Sequence, residues 1–288
     1  MGVFIIGEVG SNYDGDLDTA KRYVNALKVA GADAVKFQTL RRNRLALPVD
    51  CPKVTSLELP DTWHYELKQE ADKAGIEFMS TPFNLEAVDL LEAVGVSTYK
   101  IASGDITYVP LLERVGLTGK RVLLSTGASS LQDVRRAVAV LTMARAGEIV
   151  PLHCVSNYPP RWDEMNLKAI TTLKNEFGVV GLSDHSPGIL APIAAVALGA
   201  TVIEKHVTFD RLLPGPDHPF AMTVYEFSGM VQQIRLLEQA LGDGEKAPTE
   251  AELDKRHRMR RGIYDPVTFE PIDDPGGLWL RPEHGGRP

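Results

Sequence analysis

The sequence predicts an α/β protein, a (β/α)8 TIM barrel with a short irregular C-terminal tail, and three observations carry that prediction. Short apolar runs alternate eight times with stretches of helical spacing over about 240 residues, the size of one such barrel. Glycine, proline, asparagine or aspartate marks most of the junctions. Polar and ionisable residues gather just after the apolar runs, and in a parallel barrel those strand ends form a single face.

The elements follow in order. Residues 3–6 open as a buried strand that ends at Glu8, and Gly10-Ser11-Asn12-Tyr13-Asp14-Gly15 turns the chain. Asp16 or Asp18 can cap the first helix, which carries Ala20, Tyr23, Val24, Leu27 and Ala30 at helical spacing and stops at Gly31. The second strand, 34–38, sets Lys36 and Gln38 on one side by the two-residue period. A helix over 62–74 leads through Gly75 to a strand at 77–81, closed by Pro82. Helix 85–94 precedes strand 98–102, which ends in Ser103-Gly104-Asp105. Helix 109–117, strand 121–125, helix 130–145 and strand 149–154 come next, and the last enters Val155-Ser156-Asn157-Tyr158-Pro159. Helix 166–177, strand 179–182, helix 188–198, strand 201–206 and helix 223–241 complete the set. Two stretches stand outside it. Residues 40–60 form a long loop with Arg41, Arg42 and Arg44, readable as a lid or as solvated surface. The tail after Gly242 is too short for a second core and is expected to be extended or packed on the barrel.

Composition narrows the function. With 288 residues, 44% of them hydrophobic, the chain can bury one core of barrel size. A net charge of −7 argues against a nucleic-acid or anionic-membrane surface. The two cysteines, Cys51 and Cys154, supply no disulfide framework and fit a reducing compartment. No apolar run reaches the ~18 residues of a membrane span, and the first strand follows no basic leader, so a cytoplasmic protein is expected.

The densest chemistry lies between Gly181 and His218. Two apolar runs end in Ser183-Asp184-His185 and Glu204-Lys205-His206, and a Pro-Gly-Pro-Asp-His turn containing Asp217 follows. Neighbouring barrel strands run about 4.8 Å apart, so His185 and His206 can share one divalent cation, which would polarise a carbonyl or activate water. Glu8, Asp105 or Asp217 could complete its shell or act as general base. His153 reads as a core histidine outside that site. Lys36 and Lys100, with Thr81, Ser103, Ser125 and Ser183, make a pocket for phosphate and carboxylate groups. Two alternatives stay open for the lysines: a barrel-interior salt bridge to Glu8 or Glu204, and a Schiff base with substrate.

Nine segments in register then resemble the sialic acid synthase family, which includes N-acetylneuraminate synthases and spore-coat polysaccharide synthase-type proteins. They are Gly7-Glu8-Val9-Gly10-Ser11-Asn12, Val35-Lys36-Phe37-Gln38-Thr39, Ser80-Thr81-Pro82-Phe83, Tyr99-Lys100-Ile101-Ala102-Ser103-Gly104-Asp105, Leu124-Ser125-Thr126-Gly127, His153-Cys154-Val155-Ser156-Asn157-Tyr158-Pro159, Gly181-Leu182-Ser183-Asp184-His185, Glu204-Lys205-His206 and Pro214-Gly215-Pro216-Asp217-His218. The resemblance implies condensation of phosphoenolpyruvate with the open-chain aldehyde of an acetamido sugar, giving a nonulosonic acid and phosphate. It implies Mn2+ (or Mg2+ or Co2+) on His185 and His206. Lys36, Thr81, Lys100, Ser103, Ser125, Ser156 and Ser183 match its phosphoenolpyruvate contacts. Glu8 matches the acid near the reacting centre, and Gln38, Asp105, Tyr158 and Asp217 match positions facing the sugar.

Departures from the family pattern refine the expectation. Asn12-Tyr13 stands where Asn-His is usual, and Asp105 where some members carry Glu. Residues 1–243 match the catalytic barrel, while 244–288 resemble only the linker to a C-terminal antifreeze-like domain. On that reading the chain takes a different or smaller acceptor, or a separate chain supplies the cap; a homodimer is expected. The same chemistry on another aldehyde or a sugar phosphate, and a non-catalytic metabolite-binding barrel, are the competing readings.

Overall fold

A computed structural model of the chain describes residues 2–41, 58–253 and 255–281. The expected loop at 40–60, with Arg42 and Arg44, falls largely outside them; Arg41 pairs with Asp61. Contacts divide the chain into two units, Met1–Leu241 and Gly242–Pro288.

The first unit is the barrel. Eight strands, β1 (Phe4–Gly10), β2 (Ala34–Thr39), β3 (Glu77–Pro82), β4 (Thr98–Ile101), β5 (Arg121–Ser125), β6 (Ile149–Cys154), β7 (Gly181–Asp184) and β8 (Val202–Thr208), run parallel in the order β3-β2-β1-β8-β7-β6-β5-β4. The sheet curls until first and last strands adjoin: β1 pairs with β8, setting Glu8 beside His206. The helices are α1 (Leu17–Val29), α2 (Asp61–Ala74), α3 (Leu85–Val94), α4 (Val109–Gly116), α5 (Leu131–Met143), α6 (Ala169–Phe177), α7 (Leu190–Ala197) and α8 (Val224–Leu241). None is long and apolar enough to cross a membrane among the described residues.

Local chemistry sets the boundaries. Asp16 caps α1 by accepting from the Thr19 amide, Asn84 caps α3 through the Ala87 amide, and Ser130 with Asp133 forms a capping box on α5. Gly75 and Gly95 end α2 and α3 in the left-handed conformation. At Gly7 a side chain is excluded by packing, since a Cβ there would meet Leu27 Cδ2 at 2.4 Å. Three strands differ from expectation by two residues or more at one end or both, the others by at most one. β1 runs on to Gly10, β7 occupies 181–184, and β8 extends through His206 to Thr208. The β1–β8 ladder and a short strand, Met222–Thr223, pairing on β8 supply backbone partners that no local pattern announces.

The two-residue period builds the interior in layers. Ile6, Ala34, Met79, Leu123, Val150, Leu152 and Val202 form an apolar plug inside the barrel. Two residues further along their strands, the same faces carry Glu8, Lys36, Thr81, Ser125, Cys154 and Glu204. The alternate side chains enter the larger core between strands and helices, each fully buried Val, Leu, Ile or Phe contributing about 1.5–3 kcal/mol. Tyr13, the departure from the family's Asn-His, belongs to that core, edge-on to Trp63 with ring centroids 6.3 Å apart.

The second unit holds two helical turns, Glu250–Leu253 and Arg256–Met259, and an antiparallel pair, Gly262–Tyr264 with Leu278–Leu280. It is therefore not wholly extended.

Candidate active site

Above the plug opens a cavity of about 660 Å3. Glu8, Lys36, Gln38, Thr81, Lys100, Ser103, Asp105, Ser125, Ser156, Tyr158, Ser183, His185 and His206 all line it. Asp217 does not. It lies behind His206, with Oδ2 3.7 Å from Nδ1, and accepts from the Ser11 hydroxyl at 3.5 Å.

The lysines meet both carboxylates that the sequence offered as salt-bridge partners. Lys36 Nζ lies 2.6 Å from Glu8 and 3.7 Å from Glu204, and donates to Thr81 Oγ1 at 3.0 Å. Lys100 Nζ lies 3.3 Å from Glu204, which also accepts from Ser183 at 3.0 Å. Gln38 donates to Glu8 at 2.8 Å. All four charged groups are buried, and their environments separate them. Burial pushes the Glu8 carboxyl up, an effect Lys36 partly offsets and Glu204 reinforces. Burial also opposes ionisation of Glu204, but Lys100 and Lys36 outweigh it and hold that carboxyl low. Lys36 is held up against its own desolvation by Glu204 and Glu8, whereas desolvation lowers Lys100 despite Glu204. The result is a firmly cationic Lys36 beside a carboxyl ready to take a proton. Glu204 Oε2 and the Ser125 hydroxyl are buried without a hydrogen-bond partner, while Glu8 Oε2 is taken up by its ion pair with Lys36. Such unsatisfied groups at a cavity wall fit a polar ligand that completes them.

On the opposite wall the imidazoles of His185 and His206 lie with centroids 5.4 Å apart. His185 Nδ1 is 3.0 Å from the Val155 carbonyl; donation there leaves the Nε2 lone pair free. His206 Nδ1 is buried and partnerless. Burial pushes both histidines below their ordinary range, His206 further because His185 and Lys36 disfavour its charge. The approach of Asp217 to His206 is thus not an ion pair. Two neutral imidazoles, one carrying an orphaned nitrogen, fit a divalent cation. Among the described residues no three His, Cys, Asp or Glu side chains converge into a closed cation cage. The donor set is open, as a site that admits substrate must be. Tyr158 packs on His185 at 4.2 Å and Phe220 on His206 at 5.1 Å. His153 faces the helices, with Nε2 2.8 Å from the Met165 carbonyl.

Sequence reasoning missed three contributors. Glu204 entered only as a possible partner, yet it is the carboxylate that both lysines share. The two-residue period from His206 points to it. The Gly127 amide donates to Ser103 Oγ at 2.9 Å, and a Cβ on Gly127 would meet Ser156 Oγ at 2.1 Å, so only glycine fits between these two serines. Phe220 follows no strand and leaves no local signal.

Asp105 follows β4 in a short 3-10 turn, Ser103–Asp105, and burial raises its carboxyl to about 6, with Lys100 opposing. A raised carboxylate pKa means that its ionisation destabilises the fold as pH rises through the folded value. Asp105→Asn should therefore melt higher than the parent at pH 8, by roughly 2–4 °C for about 1 kcal/mol after allowing for partial exposure. The difference should vanish below about pH 4, where both forms are neutral. Melting curves at the two pH values check this.

A parallel barrel with buried lysines, hydroxyls and paired imidazoles at one end of its strands defines a barrel enzyme. The model of the NeuB family matches residues 23–246, and the chain belongs to that family. It is 48% identical to protein MJ1065 of Methanocaldococcus jannaschii, covering 90% of this chain and 78% of that one. It is 42% identical to the N,N'-diacetyllegionaminic acid synthase of Legionella pneumophila, covering 100% of this chain and 88% of that one. Among solved structures, the N-acetylneuraminic acid synthetase of Leptospira borgpetersenii superposes with a TM-score of 0.85 at 36% identity, over 89% of this chain and 90% of that one.

Proposed function

We propose that this enzyme condenses phosphoenolpyruvate with the aldehyde of an acetamido sugar, releasing phosphate and a nonulosonic acid. One observation carries the reading: Lys36 and Lys100, the orphaned Ser125 hydroxyl and two neutral imidazoles share a single cavity in a NeuB-family barrel. The relatives named as legionaminic, pseudaminic and N-acetylneuraminate-type synthases support this reaction class.

Lys36, Lys100, Thr81, Ser103, Ser125, Ser156 and Ser183 bind the phosphate and carboxylate of phosphoenolpyruvate. C3 of the enol then forms a bond to the aldehyde carbon, and the aldehyde oxygen takes a proton. Glu8, whose carboxyl burial pushes up, holds that proton beside the site. Water adds to C2, one of its protons passing to Asp105; the C2–O bond to phosphate then breaks, the departing phosphate takes that proton, and the remaining C2 hydroxyl proton returns to Glu8 to leave the 2-keto acid. Gln38 and Tyr158, which line the cavity, orient the sugar, whereas Asp217 stands behind His206. His185 and His206 would hold Mn2+ (or Mg2+ or Co2+), which when bound supplies Lewis acidity toward a carbonyl oxygen. The reaction fits a cytoplasmic enzyme, and we retain the homodimer, or a separate chain over the cavity mouth, as its working assembly.

The test is phosphate release from phosphoenolpyruvate with Mn2+ across acetamido sugars, free aldoses and sugar phosphates. Release confined to acetamido sugars is expected. Release with a sugar phosphate alone would move the acceptor class, and no release with any aldehyde would sink the reading.

A further inference from the structure

We propose that Lys205 and Asp184 are positioning residues, a buried clamp that fixes His185 relative to His206; this rests on reading those histidines as cation ligands. The two residues pair across β7 and β8 and point away from the cavity, into the helix layer. Lys205 Nζ lies 2.5 Å from Asp184 Oδ2 and also donates to the Ser186 carbonyl. Asp184 accepts from the Ser186 amide at 2.9 Å and from its hydroxyl at 3.0 Å. All three side chains are buried.

This arrangement grips the chain on both sides of His185. Its predecessor supplies the carboxylate, and its successor supplies amide, hydroxyl and carbonyl. The cation comes from the residue before His206. His206 lies inside β8, where the β1 ladder holds its backbone. His185 is the first residue beyond β7, past the last strand pairing. The ring itself meets the Val155 carbonyl, Cys154 Sγ and the Tyr158 ring, while the clamp fixes the backbone that carries it. Stability does not require a charged pair here, since buried ion pairs are often matched by apolar residues of equal volume. Groups that orient metal ligands from behind typically alter metal affinity 10- to 100-fold when removed.

The test measures Mn2+ affinity by electron paramagnetic resonance on the full chain, with melting temperature and the KM for phosphoenolpyruvate alongside. The double variant Asp184→Asn/Lys205→Met leaves no unpaired charge. It should melt within a few degrees of the parent and keep its KM, yet bind Mn2+ about 10- to 100-fold more weakly. Ser186→Ala removes one hydrogen bond and leaves the ion pair intact; a roughly three- to fivefold weakening is expected at unchanged melting temperature. Parent-like Mn2+ affinity in a folded double variant overturns the clamp. So does parent-like affinity in Ser186→Ala, whatever becomes of the double variant. A parent chain that binds no Mn2+ overturns the cation reading itself, which separates the two failures.

Discussion

Replacing His206 with alanine is expected to lower phosphate release by on the order of a thousandfold, the scale of several kcal/mol of lost charge stabilisation, while barely changing stability. The asymmetry follows from the environment of the ring. His206 Nδ1 is buried without a hydrogen-bond partner, and such a group costs about 1–3 kcal/mol. Removing it relieves that cost and offsets the packing lost at the cavity wall, so the melting temperature should move by less than roughly 3 °C. Mn2+ binding should disappear in the same variant. His153→Ala makes the contrast, because its ring contacts the Met165 carbonyl in the helix layer. That variant should lose stability and keep its metal affinity. Turnover within tenfold of the parent in His206→Ala would remove this residue from the chemistry.

The second large effect concerns Lys36. Lys36→Met should raise the KM for phosphoenolpyruvate on the order of a hundredfold and destabilise the fold by about 3–5 kcal/mol. The stability loss arises because Glu8 and Glu204 would face each other without the cation at 2.6 and 3.7 Å. A melting-temperature drop of roughly 10 °C at pH 8 is expected. It should shrink toward acid pH, where Glu8, already raised by burial, takes up a proton. The double variant Lys36→Met/Glu8→Gln separates the roles. It restores a single buried carboxylate beside Lys100 and should regain most of the stability, but not the affinity for the phosphate. Parent-like binding of phosphoenolpyruvate to the double variant, measured by calorimetry rather than turnover because Glu8→Gln removes the proton donor, would mean that Lys36 serves only the fold.

Much of the molecule was legible from local pattern. Eight apolar runs spaced by helical stretches gave the barrel, because hydrophobic period and turn residues act over a few neighbours. The face follows from the strand-end rule, which predicts Lys36, Lys100, Ser125, Ser183, His185 and His206 on it, and all six lie together in one cavity. Strand lengths were less legible. β8 runs past His206 because Met222 and Thr223 pair with Val207 and Thr208, and no pattern within the strand itself announces that partner.

The sequence by itself therefore determined the barrel, the chemical types on its open end and the histidine pair, since each rests on contacts within one strand–helix unit. Tertiary structure alone decided how the charges divide: Glu204 shared by both lysines, Glu8 left close to taking a proton, Asp217 set behind His206 rather than in the cavity. It also decided that Asp184 and Lys205 turn away from the cavity and tie together the chain around His185. Ionisation depends on burial and on through-space distance, and closing β1 against β8 creates both only when residues nearly two hundred positions apart become neighbours.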